Sequence, residues 1–282
     1  MKITIVTTFG DQHYNMYAKN FMSSLKKYLD PEINVLIYTD KKYFENTDTW
    51  KNYILEDECP ELIKFKNRNK HRVIENKTKG WIYDAVRFSH KSYCIVDAAK
   101  KTQQGRLIWL DADTEIIAPL TKQYLNSKQN PNTFVSYLGR IDRYSETGFI
   151  SWNMTIPYAA DYFKKWQHYY DTDLIYHLNA QLDCHVFDAV THEFFRTHNL
   201  VPENNSPPKV NKDHFDKAFK GVMYHYKGDD KEDVKTNFKR RQYRSKKEKL
   251  KTYVGSNNLF APLIYDTKPC SSTVCKKYIK IL

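Results

Sequence analysis

Long apolar runs are missing from this 282-residue chain, and it holds only 8 glycines and 5 cysteines. No stretch of roughly 18 or more apolar residues exists, so the sequence offers no candidate transmembrane helix. The run Ile3-Thr4-Ile5-Val6 that follows Met1-Lys2 is too short for a secretory signal. Both absences lead us to expect a soluble protein. Near the first strand the scarce glycine supplies only Gly10. The stretch Thr7-Thr8-Phe9-Gly10 is therefore no Gly-rich phosphate loop, which counts against a nucleotidyltransferase. The cysteines (Cys59, Cys94, Cys184, Cys270 and Cys275) are odd in number and scattered. That pattern excludes a disulfide framework and points to free thiols in a reducing compartment such as the cytoplasm. Cys270 and Cys275 could pair in the tail or supply half a metal site, and their spacing is diagnostic of neither.

What is present is cationic and core-forming. Lys and Arg number 45 against 33 Asp and Glu, a net charge of +12. Such an excess favours polyanionic partners: nucleic acid, anionic lipid or phosphorylated substrates. A compositional bias toward Lys, Asn, Tyr, Ile and Phe would give the same excess with no partner. With 41% hydrophobic residues the chain can bury a full core.

Periodicity predicts alternating strands and helices. Ile3 to Thr8 reads as a buried strand, Tyr14 to Leu29 as an amphipathic helix stopped by Asp30-Pro31, and Ile33 to Thr39 as a second strand. Together they form a βαβ unit with a parallel sheet. Residues 43–80 read as polar and irregular. Trp81 to Ala99 reads as a long helix, Arg106 to Leu110 as a third strand, and Phe134 to Leu138 and Gly148 to Asn153 as further strands. Helices are expected over Tyr158 to Tyr170 and Ala180 to Phe195, a loop over 199–218, and a short strand over Val222 to Tyr226. An open doubly wound sheet binds ligands at the carboxyl ends of its strands.

The chemistry-bearing residues cluster at those ends. The apolar strand Leu107-Ile108-Trp109-Leu110 drives out Asp111-Ala112-Asp113, with two carboxylates on alternate positions of extended backbone. Hard oxygen ligands of this kind suit Mn²⁺ or Mg²⁺, which also bind phosphate oxygens. The competing reading is a solvated acidic turn. Far along the chain, Tyr224-His225-Tyr226-Lys227-Gly228 offers an imidazole to a metal, an ammonium to phosphate and a glycine for close backbone approach.

With these motifs in this order, the chain resembles the GT-A class of nucleotide-sugar glycosyltransferases, especially the glycogenin and lipopolysaccharide galactosyltransferase group. That group pairs an Asp-x-Asp strand end with a late His-x-x-Gly-x-x-Lys motif. The resemblance covers about residues 1–230. It implies metal ligation by Asp111, Asp113 and His225, and phosphate contacts from Ala112, Gly228 and either Lys227 or Lys231. Tyr83-Asp84-Ala85-Val86-Arg87 is a looser match to a Tyr-x-x-Arg helix, with Arg87 toward the donor. Thr7, Thr8 and Phe9 resemble the cradle of a uridine, and Asp40 the acid that meets the base. The typical Lys-Pro-Trp ending after the His motif is missing. For Arg87 a solvated helix position, and for Asp40 a helix cap, are the alternatives.

The resemblance further implies a UDP-sugar donor, Mn²⁺ or Mg²⁺, and transfer with retention. Asp183 is the first candidate for the carboxylate at the anomeric carbon and Glu146 the second. An inverting transfer needs a carboxylate base to take the acceptor proton, and a retaining one a group that shields or briefly bonds the anomeric centre. Residues 1–230 would be the transferase domain and 231–282 a basic helical extension, in which Lys235 to Lys251 interleaves cations with Phe238 and Tyr243. That run would either hold a polyanionic acceptor, such as hydroxymethylated viral DNA, or keep a helix solvated. Otherwise the acceptor is a saccharide or lipid-linked glycan. A non-catalytic nucleic-acid-binding protein is the remaining alternative. Oligomeric state is left open.

Overall fold

A computed structural model describes residues 1–73, 80–140, 143–200, 202–208 and 213–227. The apolar runs make its central strands. β1 (Ile3–Phe9), β2 (Asn34–Thr39) and β4 (Arg106–Leu110) are buried almost end to end, as parallel strands covered on both faces must be. They belong to a seven-stranded sheet of order β3-β2-β1-β4-β7-β6-β8. The outer members are β3 (Trp50–Ile54), β6 (Val135–Leu138), β7 (Glu146–Asn153) and β8 (Glu203–Asn204). β1 runs parallel to β2 and β4, β2 to β3, and β6 to β8, whereas β7 is antiparallel to β4 and β6. The sheet is open and mostly parallel and flanked by helices, as expected.

Alternation along the strands splits the core between two faces. On one face Ile3, Ile5, Val35, Ile37 and Ile108 pack with Phe21, Met22 and Leu25 of α2 (Lys19–Tyr28). On the other, Val6, Leu107 and Trp109 pack under α5 (Ala85–Lys101), α7 (Ala159–Asp171) and α8 (Asp183–His198). The chain winds outward from β1 through β2 to β3, then returns to lay β4 on the far side of β1. The winding reverses between β1 and β4, and open α/β sheets bind ligands outside the carboxyl ends of the strands at such a point.

Several sequence expectations need correction. Residues 43–80 are not irregular throughout: they contain β3, α3 (Leu55–Glu58) and α4 (Pro60–Arg68). β3 is an edge strand whose one fully buried side chain is the polar Asn52, bonded to Ile37 O and Thr39 Oγ1. α4 buries only Leu62 and Phe65. Neither therefore carries a clear apolar period. The long helix starts later than Trp81. Trp81–Tyr83 is a 3-10 turn, and the Asp84 side chain then accepts the Arg87 N–H at 3.1 Å to cap α5. The first helix starts earlier than Tyr14, as α1 (Asp11–His13) followed by a π-helical turn, Tyr14–Ala18. The expected loop over 199–218 includes β8 and the five-residue α9 (His214–Ala218).

Beside the main sheet, β5 (Thr114–Ile116) pairs antiparallel with β9 (Met223–His225), and Thr114 lies opposite His225. Ile116 N–H donates to Ser24 Oγ (3.1 Å), which fastens this ribbon to α2. Cys59, Cys94 and Cys184 are buried free thiols. Gly228, Lys231, the basic run 235–251, Cys270, Cys275 and the whole expected extension 231–282 lie outside the described residues. Among the described residues no helix is long and apolar enough to cross a membrane.

Candidate metal centre

The site forms where β4 leaves the sheet. Asp111 N–H donates to Gly148 O of β7 (3.0 Å), and Thr114 N–H donates to Asp111 O (3.1 Å). These bonds close a turn over the buried Ala112 and present Asp111 and Asp113 on one side. The β5–β9 pairing then delivers His225 from more than a hundred residues away. Its Nε2 lies 2.9 Å from Asp113 Oδ1 and 3.4 Å from Asp111 Oδ2. One ligand atom from each of the three residues falls within 4.8 Å of the others, and among the described residues no other group of His, Cys, Asp or Glu does so.

His225 is held from several directions. Its N–H donates to Asp216 Oδ1 (2.9 Å), and its ring lies 5.1 Å from that of Phe215. Gly148 makes room for the imidazole: a Cβ there would come within 2.8 Å of Cε1 and Nδ1. On the other edge of the ring, Nδ1 lies 3.5 Å from Glu146 Oε1.

Next to the metal triad sits a lysine that sequence reasoning passed over. Lys91 Nζ donates to Asp111 Oδ1 (3.0 Å) and Thr147 O (2.7 Å) and lies 2.8 Å from Asp183 Oδ2. Thr147 Oγ1 donates to the same Asp183 oxygen at 2.8 Å, and Trp109 Nε1 donates to Asp111 Oδ1 at 2.6 Å. On paper Lys91 is one of many helix lysines. The signal that could have found it is its helix, whose neighbouring positions Ser89, Ser92, Cys94 and Ile95 are small or apolar and buried.

The electrostatics are dominated by carboxylates with few solvent contacts. Burial opposes the charge on Asp111, yet Lys91 and His225 hold its carboxyl well below the usual range. Burial likewise works against Lys91 and His225. The carboxylates of Asp111 and Asp183 nevertheless raise Lys91, and Asp113 with Asp111 and Glu146 raises His225 well above an ordinary imidazole. Burial and the charges of Asp113 and Asp111 also push the Tyr17 hydroxyl up. This pocket therefore favours positive charge where the three ligand atoms meet. Two carboxylates and an imidazole suit a divalent cation such as Mn²⁺ or Mg²⁺.

The remaining sequence candidates divide. Asp183, the first residue of α8, joins the cluster through Lys91. Glu146 lies behind His225 and is ion-paired with Arg140. Thr8, Phe9 and Asp40 stand at the ends of β1 and β2. Thr8 Oγ1 donates to Tyr38 O (2.8 Å), Phe9 packs on the rings of Tyr14 and Tyr43, and Asp40 accepts the Asp11 N–H (2.8 Å) at the start of the first helix. Thr7 is fully buried. Arg87 is exposed on the first turn of α5, one turn before Lys91, and Lys227 is exposed.

Solved structures similar to this chain include three glycosyltransferases. One is a glycosyltransferase involved in the glycosylation of the major capsid of PBCV-1, at 12% identity and a TM-score of 0.44, covering 83% of this chain and 100% of that one. Another is the bifunctional WbbM glycosyltransferase, at 12% identity and a TM-score of 0.48, covering 81% of this chain and 46% of that one, so the present chain spans under half its length. A third is mouse xyloside xylosyltransferase 1, at 11% identity and a TM-score of 0.47, covering 81% and 98%. No family model matches the sequence, and no curated protein does. The chemistry of the site rests on its own residues.

Proposed function

We propose that this chain is a metal-dependent glycosyltransferase that moves a sugar from a nucleotide-sugar donor, a UDP-sugar, to a hydroxyl of a saccharide. The observation that most supports this reading is the convergence of Asp111, Asp113 and His225 at the switch point of an open α/β sheet, beside a second buried carboxylate, Asp183. Asp111, Asp113 and His225 would hold Mn²⁺ or Mg²⁺. When bound, the cation supplies positive charge to the diphosphate leaving group.

The chain's own residues do the rest. Lys91 keeps Asp111 ionised and bridges it to Asp183, so neither carboxylate swings when substrate enters. Asp183 is the first residue of a long helix and so stands at the positive end of its dipole. We assign it the position beside the anomeric carbon, where it shields the developing oxocarbenium in a transfer with retention. Thr8, Phe9 and Asp40 would line the nucleoside side of the site, and Arg87 would approach the diphosphate. The described site spans residues up to His225.

The net charge of +12 supports a polyanionic acceptor as a second reading. A hydrolysis screen tests both. UDP-, GDP- and dTDP-sugars are incubated with Mn²⁺ and either the native chain or Asp113→Ala, with oligosaccharides or hydroxymethylated DNA added. We expect Mn²⁺-dependent release of UDP by the native chain alone, accelerated by a saccharide. Acceleration by DNA that falls steeply with salt would favour the second reading. Absence of metal-dependent turnover with every donor would remove the enzyme.

A further inference from the structure

Glu146 stands in a place that suits neither a metal ligand nor a base for the acceptor. An imidazole presents its two nitrogens on different edges of the ring. Nε2 of His225 faces Asp113 and Asp111, whereas Nδ1 faces Glu146 Oε1 at 3.5 Å. Glu146 is thus separated from the cation position by the whole ring. It is only 6% exposed, and its other oxygen, Oε2, is ion-paired with Arg140. Its two oxygens are thus turned to the imidazole and the guanidinium rather than to the cation position.

Building on the metal reading above, we propose that Glu146 is the positioning residue of the metal site. Nδ1 of His225 is buried and makes no hydrogen bond at the observed 3.5 Å, and Glu146 is the carboxylate placed to accept its proton, which would leave Nε2 unprotonated toward the cation. A metal-bound histidine generally needs such a partner on its second nitrogen to fix tautomer and ring angle. The surroundings here fit that role. Arg140 anchors the carboxylate, Gly148 leaves the ring just enough space, and the His225 backbone is tied to Asp216. Glu146 and Gly148 belong to β7, the strand that also accepts the Asp111 N–H, so one strand sets both halves of the metal site. Once the Nε2 proton has given way to a cation, the fold then keeps the remaining proton on Nδ1.

The test measures Mn²⁺ affinity by the electron paramagnetic resonance signal of the free ion. The chains compared are native, Glu146→Gln and Asp113→Ala. We expect Glu146→Gln to bind Mn²⁺ about 10- to 100-fold more weakly and Asp113→Ala to lose binding. A second readout needs no folded variant of Glu146. In ¹⁵N-histidine-labelled native chain loaded with diamagnetic Zn²⁺, and assigned with His225→Gln, the His225 proton should reside on Nδ1. Unchanged Mn²⁺ affinity in Glu146→Gln with a collapsed kcat would make Glu146 a catalytic group and overturn the proposal. A proton on Nε2 in the loaded protein would also overturn it. If the native chain binds no Mn²⁺ at all, the metal reading itself fails and this proposal falls with it.

Discussion

At the carboxyl ends of β1 and β2 Asp40 is exposed and accepts a backbone N–H, whereas where β4 meets β7 Asp113, Asp183 and Glu146 are 7%, 6% and 6% exposed. The first end is aromatic and open, with Phe9, Tyr14 and Tyr43 in ring contact. The second is ionic and closed: Lys91, His225 and Arg140 each answer a carboxylate. Water screens the open end, so each contact there is cheap to change. At the closed end a charge left without its partner carries its full desolvation penalty, so the cluster behaves as a unit. A nucleoside calls for the first kind of surface and a diphosphate with its cation for the second.

The largest way to break this comparison is Lys91→Met. It leaves Asp111 and Asp183 facing each other without the ammonium between them. We expect a loss of about 3 kcal/mol in stability and a fall in kcat on the order of 10²-fold or more, read by denaturant unfolding and donor turnover. A stability change near zero would show that the closed end is wetter than its burial implies.

A sharper test uses Asp188, which accepts the N–H and hydroxyl of Ser145 beside the same strand. Burial pushes its carboxyl up to about 6 from an ordinary 3.8. The folded state then holds this proton more tightly than the unfolded chain does. Asp188 therefore costs stability as pH rises from about 4 to about 6, and the whole cost remains above that window. Asp188→Asn removes it. We expect the variant to gain on the native chain across this window, by at most about 3 kcal/mol, less what the amide loses in bonding Ser145. A difference between the two that does not vary with pH would contradict the shift.

The smallest effect belongs to the open end. Asp40→Ala removes one acceptor at the start of the first helix and should cost about 1 kcal/mol. If Asp40 also meets the donor base, the KM for UDP-sugar rises with kcat held. Loss of stability with KM unchanged would leave it a helix cap alone.

Legibility in the sequence follows the same division. β1, β2 and β4 were legible because strands covered on both faces must be apolar throughout. Asp111, Asp113 and His225 were legible because each directly follows or ends an apolar run at a strand end. β3 and α4 were not, since an edge strand centred on Asn52 and a helix burying two side chains leave no period to read. Lys91 was hidden because its partners, Asp111, Thr147 and Asp183, are brought to it only by tertiary packing. Glu146 was visible as a chemical residue but not its bearing on His225, which depends on the register of β7 against β4 and on β9 folding back onto β5.

Titrating Mn²⁺ into the native chain across pH 6 to about 8 probes the shared cation position most directly. His225 must lose a proton to ligate, so affinity should strengthen with rising pH as that proton is released. One ion should bind per chain, and Asp113→Ala and His225→Ala should each abolish binding. Equal binding by either variant, or none by the native chain at any pH, would mean that these three side chains do not serve one cation.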